Sequence, residues 1–327
     1  MSEKIEKDVL VFAHPDAARP QHLSVAAARL ITLAREITSG KVVALAPSSI
    51  SSHHFSQVGV AAVRYFDPEE TGTWQVGAVL ADLVGSVVRG GDFGAVLLPS
   101  TSWGRDGAAQ CAIILGSGAS VDVTSLKVAD GKLVAGKSVL DGTWETSYYI
   151  RRGIPIVAMR TTALSAVPVA EAGEVETENL PVQLRDSTKQ IQVVSREDTG
   201  SSHAGLTEAP VVVCAGRGVN GDFGPAEQLA EVLGGSVGAT RVACEQGWID
   251  RAAQIGQSGI SVAPNLYIGM GISGDHHHVC GIRGAKKIVA ICDDPEARIF
   301  EMADFGVVGD LFTVVPDALS RIKPLDA

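Results

Sequence analysis

The chain of 327 residues has few cysteines and no basic tract, and both shortages exclude certain classes of function. Its five cysteines are scattered, odd in number and without a C-x-x-C pair, so neither a disulfide framework nor a zinc knuckle is indicated. A formal net charge of −10 disfavours nucleic acids and anionic membranes as partners, because both repel an acidic protein. Small molecules and other proteins are the partners that this composition favours.

Long apolar runs are also missing. The first eight residues, MSEKIEKD, mix charges of both signs and lead directly into a short apolar segment, so we expect no signal or transit peptide. No apolar run reaches the length of a membrane-spanning helix. Together with the unpaired cysteines, these absences predict a soluble, cytoplasmic protein.

Alternating strand and helix patterns predict a parallel α/β sheet in the first half of the chain. The elements predicted there are strands at 8–13, 41–47 and 93–101 and helices at 22–37, at 74–88 and from about Arg105. This alternation is typical of a mostly parallel sheet with helices on both faces. Runs of period two between residues 120 and 160 predict strands that close this domain.

Residues 161–208 separate this region from a second α/β series. They lack apolar periodicity and carry eight acidic against three basic side chains, which indicates a solvated interdomain connection. From residue 209 the alternation of strands and helices resumes. We therefore predict two domains, residues 1–208 and 209–327, with the acidic linker at about 161–208; a long insertion inside one domain is the alternative.

Two predicted strands of the second domain end in glycine-rich loops. The first loop is AGRGV (215–219), and the second is GMGISG (269–274), which has the form G-x-G-x-x-G. Asp293 and Asp294 follow at about the distance where a dinucleotide fold places its ribose-binding acid. Glycines at the carboxyl ends of parallel strands let backbone N–H groups approach phosphate oxygens, so a nucleotide site is one interpretation and a set of tight turns is the other.

Three consecutive histidines, His276 to His278, follow the second glycine loop. Adjacent residues of a helix or strand point in different directions, and zinc ligands are usually three or four residues apart, so we predict no metal site here. Exposed loop residues are a simpler interpretation of His276 and His277. Because neither a Ser/His/Asp order nor paired carboxylates occur elsewhere, we predict no catalytic residue.

The C-terminal block as a whole is more specific than these motifs. The segments AGRGV, VGATRVACEQGWIDRAAQIGQSGISVAPNLYIGMGISG and KKIVAICDDPEARIFEMADFGVVGDLFTVVP closely resemble the FAD-binding domain of the electron transfer flavoprotein alpha subunit. The stretch VLLPSTSWGRD is similar to the first domain of that family. The resemblance implies a Rossmann-like C-terminal domain that binds FAD and a heterodimer with a beta subunit that carries AMP or a second flavin.

That family consists of electron carriers without substrate turnover of their own. The resemblance implies that electrons come from donor flavin dehydrogenases and pass to a membrane quinone oxidoreductase or another acceptor. A self-sufficient FAD- or NAD(P)-linked oxidoreductase, an electron-bifurcating flavoprotein subunit and a metal-binding protein built on the histidines are the alternatives.

The resemblance also implies which residues bind FAD. Arg217 lies beside the cofactor, Thr240 replaces the usual serine, and Ser258 keeps the hydroxyl that faces flavin N5. Arg241 and His278 supply a cation or N–H donor at the flavin edge where reduction concentrates negative charge. The complete set implied is Arg217, Thr240, Arg241, Ile255, Gly256, Gln257, Ser258, Gly271, Ser273, Gly274, Asp275, His276, His277, His278, Cys292, Asp310 and Leu311.

This sequence departs from the family pattern beside the cofactor. Asp275, His276 and His277 stand where the family usually has Ala-Ile-Gln, and Cys292 replaces an asparagine. The segment LDGTWETSYY, residues 140–149, replaces a Tyr-Ala-Gly-Asn type of turn. We expect the departures to affect the flavin potential, the FAD affinity and the contacts of the first domain.

Overall fold

The computed structural model describes residues 3–17, 19–140, 144–161, 164–195, 206 and 209–322. The chain forms two compact units, residues 1–196 and 197–327. Part of the proposed linker, residues 162, 163, 196–205, 207 and 208, lies outside the described residues.

The described residues of the first unit form ten strands and six helices. The strands are β1 (Asp8–Phe12), β2 (Val42–Pro47), β3 (Ala62–Phe66), β4 (Phe93–Pro99), β5 (Ala119–Val123), β6 (Ser125–Ala129), β7 (Lys132–Val139), β8 (Trp144–Tyr149), β9 (Ile156–Met159) and β10 (Glu176–Asn179). The helices are α1 (Val25–Ile37), α2 (Ser52–Val58), α3 (Pro68–Thr71), α4 (Gly77–Val88), α5 (Ser102–Leu115) and α6 (Asp186–Lys189).

Seven of these strands form one parallel sheet in the order β10-β3-β2-β1-β4-β9-β5. Alternate residues of β1 face opposite sides: Val9 and Val11 pack with α1 and α2, whereas Leu10 and Phe12 pack with α4 and α5. Burial on both faces explains why β1 and β2 are continuous apolar runs. The predicted fold of this half is confirmed.

The strands of period two have a different arrangement from the one expected. In this region β5 and β9 join the main sheet, whereas β6, β7 and β8 form a separate antiparallel sheet. Antiparallel strands with one exposed face produce the same alternation as an edge strand of a larger sheet, so periodicity does not distinguish the two arrangements.

Residues 164–195, which the sequence analysis assigned to a solvated connection, are part of the first unit. The strand β10 pairs in parallel with β3, and Arg64 on β3 forms ion pairs with Glu176 and Glu178 at 3.1 and 3.0 Å. Further along, Asp82, which is buried on α4, accepts hydrogen bonds from the backbone and side-chain nitrogens of Arg185. The acidic side chains that indicated a linker are therefore partly paired with this sheet.

Ser24 joins the start of α1 to a buried histidine. Its Oγ accepts a hydrogen bond from Ala27 N at 3.1 Å, so its proton is available to His14 Nε2, also at 3.1 Å. Burial lowers the pKa of His14 to about 4, so the imidazole is neutral at pH 7.

Ser24→Ala is expected to destabilise the first unit by about 1–2 kcal/mol, because it removes a helix cap and a partner of a buried imidazole. Ser51→Ala is the matched control, since Ser51 is the N-cap of α2 without a side-chain capping bond. Urea unfolding measures both effects. Equal losses of stability in the two variants would contradict the assigned role of Ser24.

The second unit contains a smaller parallel sheet. Its described strands are β11 (Val211–Ala215), β12 (Ser236–Ala239), β13 (Leu266–Met270), β14 (Ile288–Cys292) and β15 (Phe305–Val308), and its helices are α7 (Gly224–Val232), α8 (Arg241–Glu245), α9 (His276–Val279) and α10 (Leu311–Arg321). The order β12-β11-β13-β14-β15 is all parallel. It places a topological switch point between β11 and β13, where doubly wound folds bind their ligands.

The two faces of this sheet are covered differently. Helices α7, α8 and α10 pack on one face, whereas the other is covered mainly by irregular segments that contribute Ile255, Val262, Ile272 and Ile282. Such segments, together with the short helix α9, place polar backbone and side chains near the strand ends. Across the described parts of both units, no helix has the length and apolar character needed to cross a membrane.

Candidate functional site

Glycines bring the ends of β11 and β13 into backbone contact. A Cβ on Gly216 would lie 2.4 Å from the Gly271 carbonyl oxygen, and one on Gly218 would lie 2.7 Å from Gly271 Cα. The N–H groups of Gly216 and Gly218 donate to Met270 O and Gly271 O at 2.9 and 3.0 Å. These two N–H groups are therefore bonded within the protein, and the glycines serve close packing of the two loops, which agrees with the tight-turn interpretation of their role.

A cleft of about 720 Å³ opens at this switch point. It is lined by Arg217, Gly218, Asn220, Thr240, Arg241, Val242, Gln254, Ile255, Gly256, Ser258, Gly271, Ile272, Ser273, Asp275, His277, His278, Cys292, Asp293 and Asp294. Twelve of the seventeen residues implied by the resemblance are in this set. Segments far apart in the sequence therefore meet in a volume typical of small-molecule sites.

Five implied residues lie outside the cleft lining. Gln257 and His276 are exposed, while Gly274 is buried beside Ile299 N, which would lie 2.2 Å from a Cβ. Asp310 caps α10 by accepting from Phe312 N at 3.0 Å. The outlying residues are Gln257, Gly274, His276, Asp310 and Leu311, the last of which packs in the core.

Several lining residues were not singled out from the sequence: Asn220, Val242, Gln254 and Ile272. Asn220 precedes Gly221 and has a φ of 49°, so the Asn-Gly turn signal was available there. Gln254 gives no comparable signal, since its place in the cleft depends on how the loop of residues 254–260 folds.

The loop of residues 254–260 is held at both its base and its tip. Ile260 N donates to Gln254 O at 2.8 Å, and Gly256 N donates to Ile260 O at 3.1 Å. Gln257 N donates to His277 O at 2.7 Å, which joins the loop to α9. Gly256 has a φ of 138°, and a Cβ there would lie 2.5 Å from His277 O. These bonds and this close approach fix the backbone of the wall within the protein.

His278 is bound to the protein through both ring nitrogens. Since Ile255 O is only an acceptor, Nδ1 carries the proton and donates to it at 3.0 Å, and Nε2 accepts from the Tyr267 hydroxyl at 2.7 Å. Burial lowers the pKa of His278 to about 4. The resemblance implies a cation or N–H donor to the flavin, but both nitrogens of this neutral ring have protein partners. Its geometry instead supports a role in positioning the 254–260 loop.

Asp275 and His277 form a pair at the edge of the cleft. Asp275 Oδ1 lies 2.7 Å from His277 Nδ1 and accepts from His277 N at 2.9 Å. These backbone and side-chain hydrogen bonds lower the pKa of the Asp275 carboxyl. In the part of the chain that the structure describes, no group of three or more His, Cys, Asp or Glu side chains is suited to holding a metal ion.

Polar groups and charges of both signs line the rest of the cleft. Thr240 Oγ1 is buried and has no hydrogen-bond partner. Arg217 is exposed, and Arg241 is 59% exposed with its Nε 3.4 Å from Glu245 Oε1. At the end of β14, exposed Asp293 and Asp294 follow buried Cys292, in the place where the fingerprint suggested ribose-binding acids. The cleft therefore combines cations, acids and an unpartnered hydroxyl.

Comparisons with known proteins agree with this geometry. Residues 11–184 match the family model of the electron transfer flavoprotein domain, and residues 205–283 match that of the electron transfer flavoprotein FAD-binding domain. The electron transfer flavoprotein subunit alpha of Mycobacterium leprae is 34% identical over 307 residues, which are 92% of this chain and 94% of that protein.

The chain belongs to the electron transfer flavoprotein alpha subunit family.

Two further members of the electron transfer flavoprotein alpha subunit family have similar identity. The Syntrophomonas wolfei protein is 35% identical over 285 residues, covering 86% of this chain and 87% of that one. The Bacillus subtilis protein is 36% identical over 233 residues, or 71% of each chain. The family recognised from the C-terminal block is confirmed, and FAD, the cofactor that it implied, is the cofactor of the matched domain.

Proposed function

We propose that this chain is the alpha subunit of a heterodimeric electron transfer flavoprotein and that its cleft at the β11–β13 switch point binds FAD. The observation that carries the proposal is the convergence in one cleft of residues from five segments of the second unit. In this role the protein receives electrons from a donor flavin dehydrogenase and passes them to a quinone oxidoreductase or another acceptor.

The residues of the cleft fit the chemistry of FAD. Arg217 suits the negative charge of a diphosphate, and Ile255, Val242 and Ile272 offer apolar surface for a ring system. The buried Thr240 hydroxyl lacks a partner, and an orphaned polar atom of this kind is uncommon unless a ligand or water satisfies it.

When bound, FAD supplies the centre that accepts and returns electrons. Ser258 would offer its hydroxyl to that group, and Arg241 would offer a positive charge that stabilises the negative charge gained on reduction. Buried Ile255, Ile272 and His278 exclude water from the cleft wall. His278, held neutral, keeps Ile255 O hydrogen-bonded and so fixes the loop that carries Ser258.

Thr240→Val is expected to weaken FAD binding by roughly tenfold, the loss of one hydrogen bond, without destabilising the FAD-free chain. In the FAD-free chain the substitution removes a buried hydroxyl that has no partner, so stability should stay constant or rise. Thermal unfolding with and without FAD measures both quantities, with exposed Thr146→Val in the first unit as the control. An equal loss of stability with and without FAD would show that Thr240 acts structurally.

Co-expression with a beta subunit tests the assembly and the electron-carrier function. We expect a yellow heterodimer that releases FAD from this chain and becomes reduced only when a donor dehydrogenase and its substrate are present. Oxidation of NAD(P)H by the isolated chain would support a self-sufficient oxidoreductase instead. Two flavins per heterodimer would place a second flavin on the beta subunit and favour electron bifurcation, whereas one FAD with AMP would favour simple transfer.

A further inference from the structure

Gln254 is a buried residue of the cleft wall and contacts the hydroxyl that the family resemblance directs at the flavin. Its side chain is 3% exposed, and its Nε2 donates to Ser258 Oγ at 2.9 Å. We infer that Gln254 is a positioning residue that fixes the Ser258 hydroxyl as a hydrogen-bond donor toward the cleft. The inference rests on the proposed binding of FAD.

The bond has one possible direction. An amide nitrogen donates and does not accept, so Ser258 Oγ is the acceptor and its own proton points away from Gln254. Ser258 lines the cleft. Because Gln254 is buried and Ser258 is exposed to the cleft, the amide excludes the hydroxyl proton from the protein side and leaves it the positions on the side of the cleft, whereas an unsupported hydroxyl rotates among all its staggered positions.

The backbone around Gln254 makes this support rigid. Gln254 N donates to Arg251 O at 3.0 Å, and Gln254 O accepts from Ile260 N at 2.8 Å. Gly259 lies so close that a Cβ there would be 2.2 Å from Gln254 O. Because these contacts use only the backbone of Gln254, removal of its amide group changes the hydroxyl of Ser258 while the loop keeps its backbone bonds.

A fixed donor distinguishes between states of a flavin. Ring nitrogens and carbonyl oxygens of oxidised flavin accept hydrogen bonds, whereas a protonated ring nitrogen donates one. A proton that points into the cleft therefore stabilises an acceptor at that position and disfavours an N–H there. Gln254 thus contributes to FAD affinity and to the redox preference of the site without touching the cofactor through its donor group.

A double-substitution cycle tests the inference in the full chain co-expressed with its beta subunit. Gln254→Leu removes the supporting donor at similar size, Ser258→Ala removes the hydroxyl, and the double variant combines them. The readouts are the FAD dissociation constant and the ¹⁵N resonance of N5 in ¹⁵N-labelled oxidised FAD, which reports hydrogen bonding to that nitrogen. Circular dichroism of the FAD-free proteins checks folding, and Gln254→Met is used where Gln254→Leu does not fold.

Ser258→Ala is expected to weaken FAD binding roughly two- to tenfold, the range of one hydrogen bond, and to shift the N5 resonance away from its hydrogen-bonded position. Gln254→Leu should change both readouts in the same direction by a smaller amount. In the Ser258→Ala background it should add no further change, because the hydroxyl that it supports is gone.

Gln254→Glu is the most discriminating variant, because a carboxylate accepts a hydrogen bond from the Ser258 hydroxyl and so turns its proton away from the cleft. Its N5 resonance is expected to match that of Ser258→Ala. A wild-type resonance in Gln254→Glu, or an equal effect of Gln254→Leu with and without Ser258, would overturn the inference. Failure of the wild-type complex to bind FAD would instead refute the proposed function.

Discussion

Gly271→Ala is expected to weaken FAD binding strongly, so that it is far from saturated at concentrations that just saturate the wild type. Gly271 has a φ of 59°, and a Cβ there would lie 2.7 Å from the Cα of Gly218. Both partners are backbone, so neither yields by a side-chain rotation. Overpacking of about 1–3 kcal/mol and left-handed strain of about 1 kcal/mol act at the point where the two cleft loops meet, so we expect roughly 30- to 1,000-fold weaker binding.

Gly234→Ala separates the steric contact from the backbone strain. Gly234 has nearly the same φ, 62°, but a Cβ there meets nothing within 4 Å. We expect this variant to lose about 1 kcal/mol of stability and to keep its FAD affinity. Fluorescence titration with FAD compares the two. Equal affinities would show that the Gly218–Gly271 contact does not shape the site.

His278→Ala is expected to lower the free energy of unfolding of the second unit by about 3 kcal/mol. The change leaves the Tyr267 hydroxyl and Ile255 O without their partner, both in buried surroundings, and opens a cavity. His276→Ala, on the same turn but exposed, should change stability by less than about 0.5 kcal/mol. Urea unfolding followed through Trp248 fluorescence measures both, and similar losses in the two variants would contradict the buried role of His278.

The same substitution should reduce the acid sensitivity of this unit. The pKa of His278 is about 4 in the folded protein and 6.5 ordinarily, so the unfolded chain binds an extra proton between these values. Stability therefore falls as pH is lowered from 6.5 to 4, by up to about 3 kcal/mol from this group, and is unaffected by it above 6.5. An unchanged pH dependence in His278→Ala would show that another group accounts for it.

The fold was predictable where burial leaves a clear pattern. The strands β1, β2, β4, β11, β13 and β14 are continuous apolar runs, since both faces of each are covered. Two strands gave no such pattern: β3 carries Arg64, and β10 reads Glu-Thr-Glu-Asn with all four residues exposed. Because β10 forms through pairing with β3 and through ion pairs to Arg64, its signal lies in tertiary contacts.

The site was predictable as a set of positions but less so as a set of roles. The resemblance identified His278, yet only the structure shows that Tyr267 and Ile255 occupy both of its nitrogens. Gln254 was not recognised, since its function depends on a side chain four residues away in a folded loop. The identities of the residues were thus enough to locate the cleft. The roles of these residues as hydrogen-bond donors or acceptors could be assigned only from the structure.

Hydrogen–deuterium exchange of the full chain with and without FAD tests the location of the cofactor most directly. We predict that FAD slows exchange at residues 217–220, 240–242, 254–258 and 271–278 of the second unit. Residues 48–52 and 177–179, which line a separate cleft of about 460 Å³ in the first unit, should exchange at the same rate in both states. Protection confined to those first-unit residues, with none in the second unit, would contradict the proposed FAD site.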